Sequence, residues 1–325
     1  MSKFLITGGN GQIGSHIIES LLKDKNNNIL NIDNLKTGKS YHLADHKNLK
    51  SENLCISKTK EIKKLINLYK PDIVVHAAAS YNEPDNWQLD IKTNALGGVN
   101  LIKESLNNHV KRFIYFQTSL CYGTKPKEKP ITLDHPNFPE TNSYSISKTV
   151  TESYLDLSGL DYVTFRLANV VGPRNLSGPL PIFYKLLKQK KKCFITKSRR
   201  EFIYVKDLVR YTLMAIEGVG KGPYHFSSGS DVSIEELFNT VVKCMKINDF
   251  IKPEIKELSG NEVESILLDP SKTFRDFGKI NFTPLNIIVE EAIKYYDKYG
   301  VFDTFTHAKS KWLKINHQGG KKDCL

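Results

Sequence analysis

Cysteine is sparse in this chain of 325 residues. The five present, Cys55, Cys121, Cys193, Cys244 and Cys324, are odd in number, scattered and without paired spacing. That argues against a disulfide framework and suits reduced thiols in a reducing compartment. Long apolar runs are missing too, so no membrane span is expected. Met1-Ser2-Lys3 leads straight into Phe4-Leu5-Ile6, without the charged and apolar regions of a secretion signal. A cytoplasmic protein is expected. No internal repeat or low-complexity segment is visible. His307 and His317 have no ligand-like spacing to other His or Cys, and His76 reads as a packing residue, so no metal is expected.

Acidic residues are outnumbered, 35 against 47 Lys and Arg, giving a net charge of +12. The lysines are nevertheless spread along the whole chain. The densest run, Lys185 to Lys192, contains Leu186-Leu187 and reads as one solvated helix face. No nucleic-acid partner is therefore expected, and the milder inference is a general attraction for anionic small molecules.

Strand and helix patterns alternate. Lys3–Thr7 reads as a buried strand, Gly11–Lys23 as a helix with Ile13, Ile17, Ile18, Leu21 and Leu22 in step, and Asn28–Asp33 as a second strand. A weak third strand is expected at Asn53–Ile56, then a helix to Tyr69, a strand at Asp72–His76 and a long helix over Trp87–Asn107. Lys111–Phe116, a capped helix from Thr141-Asn142-Ser143 to about Leu157, and Tyr162–Leu167 complete the series. Such alternation predicts an α/β protein with a parallel sheet covered on both faces. After Asn169 the rhythm breaks at Gly172-Pro173, Gly178-Pro179 and Pro181. Shorter elements follow (Val205–Ile216, Tyr224–Phe226, Ile234–Met245, Ser265–Leu268, Leu285–Tyr299), read as a smaller second lobe, and 309–325 reads as a polar tail.

Two stretches carry the chemistry. In Thr7-Gly8-Gly9-Asn10-Gly11-Gln12-Ile13-Gly14, glycines follow a strand and open a helix. Gly8, Gly11 and Gly14 permit a tight turn, close approach to a pyrophosphate and close helix–strand packing, with the helix N-terminus facing the anion. Asp33 closes the next strand, where its carboxylate would accept from a ribose 2′-hydroxyl and repel a 2′-phosphate. NAD is the expected cofactor. In the second stretch, Tyr144 and Lys148 stand four apart and share a helix face. A free tyrosine has a pKa of about 10; a neighbouring ammonium is expected to lower it and make a general base. Thr118, at the carboxyl end of the fifth strand, offers a bridging hydroxyl. Tyr81 and Trp87 follow the fourth strand, with bordering a substrate and packing both open.

With these motifs the chain resembles the extended short-chain dehydrogenase/reductase family, the NAD-dependent nucleotide-sugar epimerases and dehydratases. The resemblance runs from about Lys3 to Tyr299. It rests on the glycine turn, His76-Ala77-Ala78-Ala79, Asn94, Thr118-Ser119-Leu120-Cys121-Tyr122-Gly123, Tyr144 with Lys148, Leu167 to Pro173, and Arg200 to Asp207. The wording around Gln117–Gly123, Phe165–Asn169 and Gly178–Tyr184 looks like a sub-group encoded in bacterial O-antigen loci.

The resemblance implies a Rossmann-type doubly wound sheet over 1–168 and a smaller α/β substrate lobe over 169–308, from which some segments return to the sheet. It implies Thr118, Tyr144 and Lys148 as catalytic residues, Lys148 also holding the nicotinamide ribose. Further cofactor contacts are implied at Gln12, Ile13, Asn34, Gly38, Ala77, Ala78 and Asn94. Substrate contacts are implied at Tyr81, Ser119, Asn169, Arg174 and Arg200, of which Asn169 and Arg200 match residues that hold the substrate's diphosphate. A homodimer through Trp87–Asn107 and Ser143–Leu157 is also implied.

Two departures bear on function. Where the family usually carries an acid for adenine after the third strand, this chain has Cys55-Ile56-Ser57-Lys58. Where the dehydratases resemble TDEVYG and the decarboxylases TSEVYG, Leu120 stands here and cannot carry a proton. The expected activity is C4 epimerisation of a nucleotide sugar, a UDP-hexose or UDP-uronic acid, through a transient 4-keto sugar. Its rivals are a one-way NAD(P)H-dependent reductase of a keto nucleotide sugar, a 4,6-dehydratase or decarboxylase of the same family, and a non-catalytic NAD-binding regulator, against which the Tyr144/Lys148 pair argues.

Overall fold

The computed structural model describes residues 2–140, 142–248, 252–258 and 263–305. The expected tail, with His317 and Cys324, and the preceding His307 lie outside the described residues. The strands are β1 (Lys3–Thr7), β2 (Asn28–Asp33), β3 (Leu49–Asn53), β4 (Ile73–His76), β5 (Arg112–Thr118), β6 (Tyr162–Leu167), β7 (Asn169–Val171), β8 (Phe194–Thr196), β9 (Arg199–Arg200), β10 (Phe202–Tyr204), β11 (Gly222–Phe226), β12 (Val232–Ser233) and β13 (Glu254–Lys256). Helices α1 (Gln12–Leu21), α2 (Thr59–Tyr69), α3 (Trp87–Asp90), α4 (Gly97–Asn107) and α5 (Ser143–Ser158) lie among the first six strands. Helices α6 (Pro179–Lys188), α7 (Val205–Ile216), α8 (Ile234–Cys244), α9 (Ser271–Phe277) and α10 (Leu285–Tyr299) follow.

The main sheet is parallel throughout, in the order β3-β2-β1-β4-β5-β6-β11. Successive side chains of β1 face opposite ways. Phe4 and Ile6 join Ile17, Ile18 and Leu21 of α1 and Leu208 and Val209 of α7 on one face. Leu5 joins Ile62 and Ile66 of α2, Leu101 of α4 and Leu155 of α5 on the other. Strand order reverses between β1 and β4, which in such sheets opens a ligand crevice at the carboxyl ends. A third core joins Leu180 and Phe183 of α6, Leu237 and Phe238 of α8, and Ile288, Val289 and Tyr296 of α10.

Four local expectations are corrected. The third strand is Leu49–Asn53, earlier than the apolar Leu54-Cys55-Ile56 suggested, because an edge strand keeps polar, half-exposed residues while the apolar ones turn in behind it. Tyr224-His225-Phe226 does not build the second lobe but closes the main sheet as β11, pairing in parallel with β6. The basic run is not one helix, since α6 ends at Lys188. The helix expected over Trp87–Asn107 carries a π turn at Ile91–Leu96, a feature common near functional sites. There the Asn94 carbonyl accepts from Thr151 Oγ1 at 2.5 Å, and its amide bonds Ser80 and Ser147.

Helix α4 lays its backbone at Gly98 directly against the Thr151 side chain of α5. A β-carbon at Gly98 would lie 2.1 Å from Thr151 Oγ1. Gly98→Ala should therefore lower stability by about 1–3 kcal/mol through overpacking. Urea denaturation reads this, and an unchanged midpoint would mean the two helices separate freely.

Candidate active site

A cavity of about 320 Å³ opens above the carboxyl ends of β1, β2, β4, β5 and β6. Gly8, Gly11, Gln12, Ile13 and Gly14 form its floor, Asp33 and Asn34 one side, and Ala77, Ala78 and Tyr81 the next. Thr118, Tyr144 and Lys148 close the far end, Asn169 also reaches the wall, and Arg174 lines the cavity beside α1, where it pairs with Glu19. Most of the expected residues thus meet in one space.

The glycine turn is built for close approach. Gly8 has φ +70°, and a β-carbon there would sit 2.6 Å from the Ala78 amide nitrogen; one at Gly14 would sit 2.3 Å from the Gly8 carbonyl oxygen. Gly11 caps α1 with no side-chain cap bond and no acid in the first turn, so the helix N-terminus is left for an external anion. Asp33 accepts from the amides of Asn10 (2.9 Å) and Leu35 (2.8 Å). Burial raises its pKa, opposed by these two bonds. Each carboxylate oxygen retains a lone pair for a ribose hydroxyl. Beyond it the wall is apolar, formed by Ile32, Leu54, Cys55 and Ile56, so a base would pack there without the family's acid. The donor-rich turn, the retained carboxylate lone pairs and this apolar slot fit a dinucleotide.

At the other end, Thr118 Oγ1 accepts from the Leu120 amide at 3.2 Å, keeping its own proton to donate. Gln117 Oε1 fixes the Thr118 amide at 2.8 Å. The Tyr144 ring meets Tyr81 edge-on, centroids 6.4 Å apart. The Lys148 ammonium lies 4.2 Å from the centroid of the Tyr115 ring. The expected lowering of the tyrosine pKa by the lysine is not what this cavity does. Burial pushes the Tyr144 phenol up, with Tyr81 and Asp90 adding to it. Burial also pulls Lys148 down to about 7, against the attraction of Glu152. Both ions lose hydration in the enclosed space, and that loss dominates.

Several expected residues stand elsewhere. Gly38 packs on Asn10 and Asp33 behind the lining. Asn94 is 1% exposed and spends its amide on Ser80 and Ser147, bracing the wall from behind. Ser119 starts the turn after β5, away from the lining. Arg200 donates to the carbonyl oxygens of Arg199 and Glu264 and does not line the cavity. Trp87 is 62% exposed, so of the two aromatics weighed only Tyr81 borders the space. His76 packs as expected, bonded to Thr7 Oγ1 at 2.8 Å.

Other lining residues carried no signal in the sequence: Lys36, Thr37, His42, Asn175 and Phe305. His42 joins the Asn10 carbonyl (2.7 Å) to the Tyr295 hydroxyl (2.6 Å).

The family model described as NAD dependent epimerase/dehydratase family matches residues 4–227. The solved structure of the Bordetella bronchiseptica enzyme WbmH in complex with NAD+ is 54% identical, with a TM-score of 0.90, covering 93% of this chain and 100% of that one. The Bordetella bronchiseptica enzyme WbmG in complex with NAD and UDP is 37% identical, with a TM-score of 0.85, covering 94% and 97%. A putative UDP-glucose 4-epimerase of Methanocaldococcus jannaschii is 28% identical over 251 residues, 73% of this chain and 80% of that one.

A lysine whose folded pKa is about 7 against an unfolded value of about 10.4 binds fewer protons folded than unfolded between those limits. Stability therefore rises with pH across that window. Lys148→Met should stabilise the nucleotide-free protein at pH 6 by on the order of 1–4 kcal/mol, and the gain should shrink by pH 9.5. Denaturation at the two pH values measures it, and a pH-independent difference would contradict the burial account.

Proposed function

The chain belongs to the NAD dependent epimerase/dehydratase family, and from that premise we propose that it is a nucleotide-sugar C4-epimerase using NAD. The substrate class we assign is a UDP-hexose or UDP-uronic acid. The observation that carries this reading is the meeting of Thr118, Tyr144 and Lys148 on the wall of the cavity whose floor is the glycine turn. NAD, when bound, supplies the acceptor and donor of two electrons, together with a positive charge. The glycine turn, Asp33 and Lys148 would hold it.

Tyr144 is the proton carrier. Burial keeps its phenol protonated in the nucleotide-free cavity; the positive charge that bound NAD supplies would lower that pKa. As phenolate it takes the proton of the 4-hydroxyl, with Thr118 donating or relaying, while C4 loses hydride. The planar 4-keto sugar turns over, and proton and hydride return on the opposite face. Nothing is consumed, so interconversion needs no added reductant. Leu120 packs on Cys121, Tyr122 and Ile131, so the position that carries an acid in dehydratases and decarboxylases is apolar here. That favours redox at one carbon over water or carbon dioxide loss. Asn169 at the wall is assigned to the substrate's diphosphate. Arg200, two residues along the chain from the lining Phe202, joins it only by resemblance.

Incubation with UDP-, GDP- and CDP-sugars without added cofactor, followed by NMR, should show a second epimer of one UDP-sugar. Tyr144→Phe should slow it about 10²–10⁴-fold. Sugars returned unchanged, with NAD(P)H consumed on a keto sugar, would establish the reductase instead.

The assembly we propose is a homodimer, acting in the cytoplasm to supply polysaccharide synthesis. Trp87, Ile91 and Leu96 near one helix, and Ile146, Tyr154 and Leu157 on α5, are exposed apolar residues. A shared face of this kind suits a two-fold contact between copies. Light scattering should give twice the chain mass, falling to the monomer for Ile146→Asp/Leu157→Asp; a wild-type monomer would refute the dimer.

A further inference from the structure

Three buried polar atoms at one corner of the cavity have no hydrogen-bond partner among the described residues: Gln12 Nε2, Arg174 Nη1 and Asn175 Oδ1. Buried groups of this kind are normally satisfied, and a cluster of exceptions calls for an occupant. Two of the three are donors, one of them cationic, and they stand beside the uncapped N-terminus of α1. That chemistry suits the oxygens of a diphosphate.

Two diphosphates are on offer, one in the cofactor and one in the sugar nucleotide. The anchoring of Arg174 distinguishes them. Its guanidinium pairs with Glu19 on α1. The preceding Pro173 carbonyl oxygen meets His16 Nε2 at 3.4 Å, and the following Asn175 Nδ2 donates to Gln12 Oε1 at 3.3 Å. Gln12, His16 and Glu19 are spaced four and three apart, one stripe of the helix that the glycine turn opens. The connection 173–175 is thus strapped along the cofactor helix. Arg174 takes φ +68°, a left-handed backbone that a non-glycine residue holds only when its surroundings enforce it. Here Tyr296 fixes the next carbonyl oxygen, that of Asn175, at 2.7 Å. Burial alone would raise the Glu19 carboxyl, but the bonds from His16 and Arg174 hold it at about 2, so this anchor stays charged throughout the neutral range.

We propose that Arg174, oriented by Glu19, is a binding residue for the diphosphate of NAD and not for that of the sugar nucleotide, with Gln12 and Asn175 completing the site. The strap then ties the second lobe to the cofactor, and Glu19 is a positioning residue acting through Arg174. This rests on the NAD-dependent reading above.

The test uses the full chain freed of bound nucleotide, titrated calorimetrically with NAD and, separately, with UDP. Arg174→Gln should weaken NAD about 10–100-fold, the range for losing a charge-assisted hydrogen bond, and shift UDP less than twofold. Glu19→Gln should weaken NAD by a smaller factor, about 3–10-fold, with UDP again unmoved. Loss of UDP affinity with NAD retained, or equal loss of both, overturns the assignment. A Glu19→Gln protein that binds NAD like the wild type overturns the positioning role. If Arg174→Gln fails to fold, Glu19→Gln and Arg174→Lys carry the same NAD-against-UDP comparison. Wild-type protein that binds no NAD would instead remove the cofactor reading underneath.

Discussion

Main chain lies against main chain where β1 turns into α1, and the site is set by that contact. A side chain at Gly8 would strike the amide of Ala78, and one at Gly14 would strike the Gly8 carbonyl. The turn and the loop after β4 are therefore a single layer thick. The helix N-terminus can reach the cavity floor only because nothing projects between them. Asn31 adds the side-chain support, accepting from the Gly9 amide at 3.1 Å and donating to Asn10 Oδ1 at 2.7 Å.

The end that holds Tyr144 and Lys148 is governed by dehydration instead. Tyr144, Lys148 and Glu152 recur every four residues on α5, and the last pairs with Arg166 of β6 at 3.1 Å. Arg166 also donates to the Tyr122 hydroxyl, which bonds His225 of β11 at 2.6 Å. Gln117 links the same carboxylate, at 3.3 Å, to the Thr118 amide it holds. A buried polar network this well satisfied fixes geometry. It also places a carboxylate behind Lys148, which offsets part of the burial that pulls the ammonium down. The edge strand β11 thus supports the wall that carries Thr118, Tyr144 and Lys148 from the rear.

The second lobe holds its own core but meets the sheet through polar contacts along α1 as well as through packing. His42 performs a similar service on the opposite side, joining the glycine turn to α10. Burial lowers its pKa to about 4, so it makes these bonds as a neutral ring. The cavity and the elements that follow Asn169 are consequently parts of one bonded framework.

Much of this was legible in the amino-acid order. Six of the seven sheet strands were foreseen, five of them at or close to their observed bounds and β3 a few residues off, because buried parallel strands are short apolar runs that local pattern reveals. The glycine turn and the Tyr144/Lys148 pair follow fixed spacings, and Asp33 and Thr118 stand at the carboxyl ends of foreseen strands, so their convergence could be anticipated. Tertiary structure alone decided the rest. Strand β11 joins the sheet from the far half of the chain, Asn94 turns away to brace α5, and Arg200 stays off the wall while Arg174 leans onto α1. Enclosure also set the pKa values of this pair, burial raising the Tyr144 phenol and lowering the Lys148 ammonium. Spacing along a helix shows which side chains are neighbours, but the hydration each loses depends on everything else folded around them.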